Sequence, residues 1–256
     1  MLIEKINIDV DRKGRGVLME RLDKVLSNLG YGTRKELKGI CRKGLVKVNG
    51  VVIKDSGAKV EPESDEIFFA GEQIFYRKFI YLMMNKPDGV ISATRDNRDE
   101  TVIDLLEMNH QIFDPFPVGR LDKDTVGLLF LTNDGELNHR LIAPKWHVDK
   151  VYSAKINKEV TESDIVAFKN GITLDDEYLC KEAKLEIVSA SEEESDILVT
   201  IQEGKFHQVK RMFQAVGKEV TYLKRIEFGT IKLDETLAEG EYRELTDEEL
   251  VILKNF

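Results

Sequence analysis

Asp122 lies in the stretch Val118-Gly119-Arg120-Leu121-Asp122-Lys123-Asp124-Thr125-Val126-Gly127, followed by the apolar run Leu128 to Leu131 and then Thr132-Asn133-Asp134-Gly135. An acid beside an arginine and a hydroxyl, between two glycine turns and ahead of a buried strand, is a loop residue held rigidly for chemistry. It is a candidate nucleophile or base. Asp124, Asp134 and Asp149 are rivals, since paired acids also build metal sites and glycosidase centres. The segment from Asp122 begins like a calcium loop, yet its fifth position is Val126 and its twelfth is Asn133, so the bidentate glutamate is missing. Asp134 before Gly135 reads as a turn residue. Cys41 and Cys180 are isolated and the 4 histidines scattered, so neither a disulfide framework nor a zinc-ligand spacing can be built.

A second chemical face lies downstream. Phe206 to Val216 reads as a helix on which Val209, Met212, Phe213 and Val216 form one stripe and His207, Lys210, Arg211 and Gln214 another. The second stripe is either a solvated face or a cationic, hydrogen-bonding one. Glu203-Gly204-Lys205 brings the chain in by a tight turn, which leaves the helix N-terminus placed to meet an anion.

Several elements must position these residues. Phe79 to Asn85 predicts a strand ending in the turn Lys86-Pro87-Asp88-Gly89, Val102 to Leu106 a short helix, and Val126 to Leu131 a buried strand. Lys150 to Ile156 and Asp196 to Ile201 alternate as strands do, and Glu219 to Phe228 follows the helix as another. Strands outnumber helices without a regular βαβ alternation, which implies mixed α+β.

The net charge of −9 argues against a protein that coats nucleic acid indiscriminately, but it hides an asymmetry. Between Met19 and Val60, ten lysines and arginines stand against four acids. There Leu22, Val25, Leu26 and Leu29 space as a helix stopped by Gly30-Tyr31-Gly32. Thr33 with Glu36 predicts a capping box, and Arg34, Lys38 and Arg42 fall on one face of the next helix. Leu45 to Ile53 reads as a hairpin turning at Asn49-Gly50. Such a face is either plainly solvated or fitted to a sugar-phosphate backbone. Residues 1–18 form a lead without a clear role, and Gly71 to Lys78 is the best linker candidate. No secretory signal and no run approaching the roughly 20 apolar residues of a membrane span is present, which implies a cytoplasmic protein.

The segment 19–75 resembles the RNA-binding module named after ribosomal protein S4, through Arg21-Leu22-Asp23-Lys24, Gly30-Tyr31-Gly32-Thr33-Arg34-Lys35 and Val46-Lys47-Val48-Asn49-Gly50. The resemblance makes Arg21, Arg34, Lys35, Lys38, Arg42, Lys43 and Lys47 the RNA contacts. Residues 79–250 resemble the catalytic domain of ribosomal pseudouridine synthases carrying that module. The resemblance rests on the Asp122 stretch, Met84-Asn85-Lys86-Pro87, Thr101 to Leu106, Lys150-x-Tyr152 and Glu203 to Met212. His207-Gln208-Val209-Lys210-Arg211-Met212 and the ending Gly240 to Thr246 are closer to the small-subunit (16S) branch than to the large-subunit one.

The family likeness implies a small module of two helices and a hairpin, then a mixed, largely antiparallel catalytic domain. It implies isomerisation of one uridine, in the small-subunit branch that conventionally numbered 516, within ribosomal RNA or an assembly intermediate. The alternatives are a large-subunit synthase of the same family, a non-catalytic assembly factor, and a metal-dependent nuclease using Asp122 and Asp124. In the leading reading Asp122 is the nucleophile, Lys210 its cation with Arg211 as second choice, Tyr152 stacks on uracil, and Arg120 fills the space of the flipped base. Arg211, His207, Gln208, Thr125 and Leu223 line the substrate. The reaction has no redox change or energy input, so no cofactor and no metal are expected; the chain is expected to act as a monomer.

Overall fold

The computed structural model describes residues 9–10, 16–17, 19–62, 64–74, 76–143 and 148–256. Most of the lead at residues 1–18 therefore lies outside the described residues. The chain divides into two compact units, Met1–Phe79 with Glu107–Asp114, and Ile80–Leu106 with Pro115–Phe256. Among the described residues no helix is long and apolar enough to cross a membrane.

The first unit contains β1 (Asp9–Val10), β2 (Gly16–Val17), β3 (Glu20–Arg21), α1 (Leu22–Asn28), α2 (Arg34–Arg42), β4 (Val46–Val48), β5 (Val51–Val52), β6 (Lys59–Val60), β7 (Ile67–Phe69) and β8 (Glu72–Ile74). Leu22, Val25 and Leu26 of α1 and Leu37 and Cys41 of α2 bury against Val46, Val60 and Ile67. One face of each helix is thereby spent on the core. Thr33 accepts from the Glu36 amide at 3.3 Å and Glu36 accepts from the Thr33 amide at 2.8 Å, so the capping box forms as its spacing dictates. Asn49 and Gly50 both adopt positive φ, 51° and 78°, the conformation that joins β4 to β5 in a tight hairpin. Glu72–Ile74 pairs with β7, so the linker candidate begins as a strand.

The second unit is built on a sheet ordered β13-β14-β12-β15-β11-β9-β17. Its strands are β9 (Tyr81–Lys86), β11 (Val126–Thr132), β12 (Lys150–Ile156), β13 (Lys184–Ala190), β14 (Ser195–Ile201), β15 (Val220–Phe228) and β17 (Tyr242–Glu244), with β10 (Phe116–Pro117) beside β11 and β16 (Ile231–Lys232) beside β15. Among the strands of this sheet β11 and β15 pair in parallel and the other described strand pairs are antiparallel. The helices α4 (Gly135–Ile142), α5 (Glu162–Asn170), α6 (Gln208–Ala215) and α7 (Asp247–Lys254) belong to this unit, while α3 (Met108–Gln111) falls in the first. All of β11 is buried, as a near-continuous apolar run predicts.

Two expectations are corrected. Val102 to Leu106 is a series of turns: the Asp104 carboxylate accepts from the Thr101 amide and hydroxyl, both at 2.8 Å, and closes the chain locally. Val102 and Leu106 are buried there without a helix. Asp134 is the N-cap of α4, accepting from the Leu137 amide at 3.0 Å, with its other oxygen taken by the Tyr81 hydroxyl at 2.9 Å.

Gly127 decides whether the centre of this sheet closes. Its φ is +99°, and a Cβ added there would lie 2.3 Å from the Arg225 carbonyl and 3.0 Å from the Arg225 amide nitrogen. Gly127→Ala is predicted to destabilise the protein by about 2–5 kcal/mol, the sum of left-handed strain and overpacking against backbone. Urea unfolding measures it; a loss within about 0.5 kcal/mol would show that the β11–β15 contact tolerates a side chain.

Candidate active site

Asp122 follows a glycine in left-handed conformation, Gly119 at φ 69°, and precedes the start of β11. Its loop is held by its backbone. Ser92, itself buried, donates its hydroxyl to the Leu121 carbonyl at 2.9 Å and accepts from the Leu121 amide at 3.0 Å. On the other side of Asp122 the Lys86 ammonium donates to the carbonyls of Pro87 (2.9 Å), Lys123 (3.2 Å) and Thr125 (2.9 Å). The Gly89 amide donates to the same Lys123 carbonyl at 3.0 Å, and the Thr125 amide closes a turn onto the Asp122 carbonyl at 3.1 Å. Lys86 is fully buried at 0% exposure. Burial pushes its ammonium down to about 8, against the pull of Asp88, Asp124 and Asp122.

A helix far along the chain supplies the cation. The Lys210 ammonium is 3.5 Å from Asp122 Oδ2, but its closer partner is Asp124 Oδ1. Burial drives the Asp124 carboxyl up; the Lys210 hydrogen bond and charge outweigh it and hold the carboxyl below its ordinary value. Asp124, a rival acid in the sequence, thus shares the cation. His207 reaches the other oxygen of Asp122, with Nε2 3.7 Å from Oδ1.

Asp122 and His207 line a pocket of about 60 Å³ together with Arg120, Tyr152, Thr125 and Leu223. Tyr152 and Leu223 are buried, Arg120 is exposed, and the buried Thr125 hydroxyl has no hydrogen-bond partner. The register of β12 against β15 shifts between Val151 and Tyr152, an irregularity of the kind that re-aims side chains beside active sites. An adjoining cavity of about 390 Å³ shares Arg120, Tyr152 and Lys205 and adds Lys150 and Arg225. Burial, with Arg225 nearby, brings the Lys150 ammonium down to about 8.

Two expected substrate contacts have protein partners, although Gln208 also lines the pocket. Gln208 is buried, donating to Glu203 at 3.1 Å and accepting from the Lys205 amide at 3.0 Å, so it shapes the turn before α6. The Arg211 guanidinium binds Asp175 and Asp176, the latter at 2.8 Å, whereas the Lys210 ammonium lies 3.5 Å from Asp122. In the first unit Arg34, Lys35, Lys38, Arg42, Lys43 and Lys47 are exposed and make no ion pair among the described residues. Arg21 differs, because its guanidinium is paired with Asp23 at 2.6 Å. Ser92 and the role of Lys86 escaped sequence reading; the one signal was a lysine ending the apolar run Tyr81 to Met84.

The family model for RNA pseudouridylate synthase matches residues 80–215, and that for the S4 domain matches residues 20–67. The chain is 51% identical to an RNA pseudouridine synthase of Bacillus subtilis that is itself uncharacterized, over 91% of this chain and 98% of the relative. It is 42% identical to ribosomal small subunit pseudouridine synthase A of Vibrio cholerae, over 90% and 97% of the two chains. It is 39% identical to ribosomal large subunit pseudouridine synthase B of Bacillus subtilis, over 92% and 96%. A solved pseudouridylate synthase superposes with a TM-score of 0.64 at 37% identity, covering 91% of this chain and 99% of that one.

The Lys86 clamp carries a pH signature. Because its folded value of about 8 lies below the ordinary 10.5, the folded protein binds fewer protons than the unfolded chain between those limits. The stability Lys86 contributes is therefore lowest below pH 8 and rises toward 10.5. Urea unfolding at about pH 7 and about pH 10 should show a larger gain in the wild type than in Lys86→Met; equal gains would remove Lys86 from the linkage.

Proposed function

Because this chain belongs to the RNA pseudouridylate synthase family, we propose that it acts on one uridine of small-subunit ribosomal RNA, conventionally numbered 516, with Asp122 as nucleophile. The enzyme is a pseudouridine synthase, an isomerase of ribosomal RNA with an S4 RNA-binding domain. Its reaction breaks the bond from the ribose anomeric carbon to N1 of uracil, turns the base, and rejoins it through C5, from which a proton departs.

The observation that carries the assignment is the immobilised loop: Asp122 is the acid whose backbone is clamped on both sides, whose carboxylate lies 3.5 Å from the Lys210 ammonium, and which shares one pocket with Tyr152 and Thr125. Preorganisation of that kind spends binding and folding energy before the reaction begins. Lys210 supplies the opposite charge. Tyr152 offers a ring to the extruded uracil and an oxygen for the C5 proton, and Thr125 offers a hydroxyl with no other partner. Leu223 forms an apolar wall. A stacked uridine must be flipped out at a cost of about a few kcal/mol, and exposed Arg120, two residues from Asp122, is placed to fill the vacated space.

Small-subunit specificity is supported by His207-Gln208-Val209-Lys210-Arg211-Met212 and the identity to the Vibrio relative. The large-subunit relative is nearly as similar, so the second reading is a large-subunit target. Mapping pseudouridine in both ribosomal RNAs with and without the enzyme separates them: a site lost only from the large subunit overturns the first.

Tritium release from C5-labelled uridine in small-subunit transcript or immature subunits tests the chemistry. Asp122→Asn should release none above background, and Lys210→Met should turn over about 10²–10³-fold more slowly, the usual cost of removing one aimed electrostatic partner. Normal turnover by Asp122→Asn would sink the nucleophile. In the S4 domain, replacing Arg34, Lys38 and Arg42 together by Ala should weaken RNA binding and flatten its salt dependence by about 2 in the logarithmic slope, at about 0.7 per lost phosphate contact on single strands. An unchanged slope would mean that this face does not meet phosphate.

A further inference from the structure

Phe206 is 71% exposed at the rim of the pocket, although burying such a ring would gain about 1.5–3 kcal/mol. It is not loose. Its ring lies parallel to that of His207, with centroids 3.7 Å apart and planes at 18°, so one face is covered and the other open. His207 adopts φ 50°, a left-handed conformation costly for a residue with a side chain, and this turn directs Phe206 outward from α6. The backbone is fixed on both sides: the Gln208 amide donates to the Lys205 carbonyl at 3.1 Å and the Arg211 amide to the His207 carbonyl at 2.9 Å. The other edge of the stack points at the reaction, since His207 Nε2 is 3.7 Å from Asp122.

We propose that Phe206, backed by His207, is a stacking platform for the unpaired nucleobase next to the target uridine. When a base is flipped out, its neighbours lose a stacking partner, and a flat apolar ring beside the pocket replaces it. Every base has a π-face, so such a platform grips RNA without reading sequence. His207 lines the pocket and Phe206 does not, which places the platform one ring outward from the target uridine. The strained turn is thus what converts a helix entry into a surface for the flanking nucleotide. The proposal rests on Asp122 marking the point of chemistry on RNA.

The test uses the full chain and a short single-stranded oligoribonucleotide with 5-fluorouridine at its centre and 2-aminopurine on one side or the other. Wild-type protein should quench 2-aminopurine on one side of the uridine. Phe206→Ala should abolish that quenching and weaken binding about 5- to 150-fold. Phe206→Tyr should restore both, whereas Phe206→Leu, apolar but not flat, should behave as Ala. Absence of quenching by the wild type, its persistence in Phe206→Ala, or equal rescue by Leu and Tyr would each overturn the platform. The Leu and Tyr pair keeps the comparison valid if the Ala variant unfolds. Asp122→Asn should quench as the wild type does; its tritium release is read separately, so a wrong nucleophile and a wrong platform give different results.

Discussion

A lysine ammonium with no exposed surface and three main-chain carbonyls as partners is the constraint on which the candidate site depends. Burying a charge is expensive unless it is fully hydrogen-bonded, and Lys86 meets that condition with carbonyl dipoles instead of a carboxylate. Two of the three carbonyls belong to the residues after Asp122. The folding energy that pins Lys86 therefore pins the loop, and Ser92 does the same one residue before the acid. A side chain on a loop so held has little backbone freedom left to lose.

Using Lys86 in this way leaves the charge of Asp122 to be met from elsewhere. Lys210 comes from a helix that the sheet brings across, and it arrives shared between Asp122 and Asp124. Asp124 is far more exposed than Asp122, 69% against 27%, so water screens the outer pair more than the inner one. The arrangement holds Lys210 beside Asp122 without committing all its hydrogen-bonding capacity to the acid proposed to react. Arg211, one position on, is removed from the competition by Asp175 and Asp176.

The parts of this structure legible in sequence are those fixed over a few residues. The Thr33–Glu36 capping box, the Asn49-Gly50 turn and the alternation of β12 are each set by neighbours in the chain. Where local chemistry is ambiguous the reading fails. Asp134 before a glycine serves equally as a turn or as a helix cap, so α4 was invisible, and Thr101 with Asp104 builds a turn where apolar spacing suggests a helix. Within the candidate site, the approach of Lys210 to Asp122 is the one the family pattern implies, but how the cation is divided was not legible. The Lys86 clamp spans 37 and 39 positions and the Lys210–Asp124 bond spans 86, distances over which only the sheet topology sets contact.

That topology also explains why one parallel contact sits in an otherwise antiparallel sheet. β11 leaves the Asp122 loop and β15 follows α6, so running the two strands in the same direction, with the start of β11 paired to the middle of β15 (Val126 with Lys224 and Gly127 with Arg225), brings the acid and the helix carrying its cation to the same end of the sheet. An antiparallel pairing would put the beginning of one strand beside the end of the other and separate the two. Gly127 permits the close approach because it has no Cβ to strike the Arg225 backbone, and the Arg225 guanidinium ties the strands by donating to the Leu128 carbonyl at 2.7 Å. The missing side chain at Gly127, the buried ammonium of Lys86 and the bound guanidinium of Arg225 thus serve one requirement: a carboxylate and an ammonium from opposite halves of the domain must meet without either being free to move away.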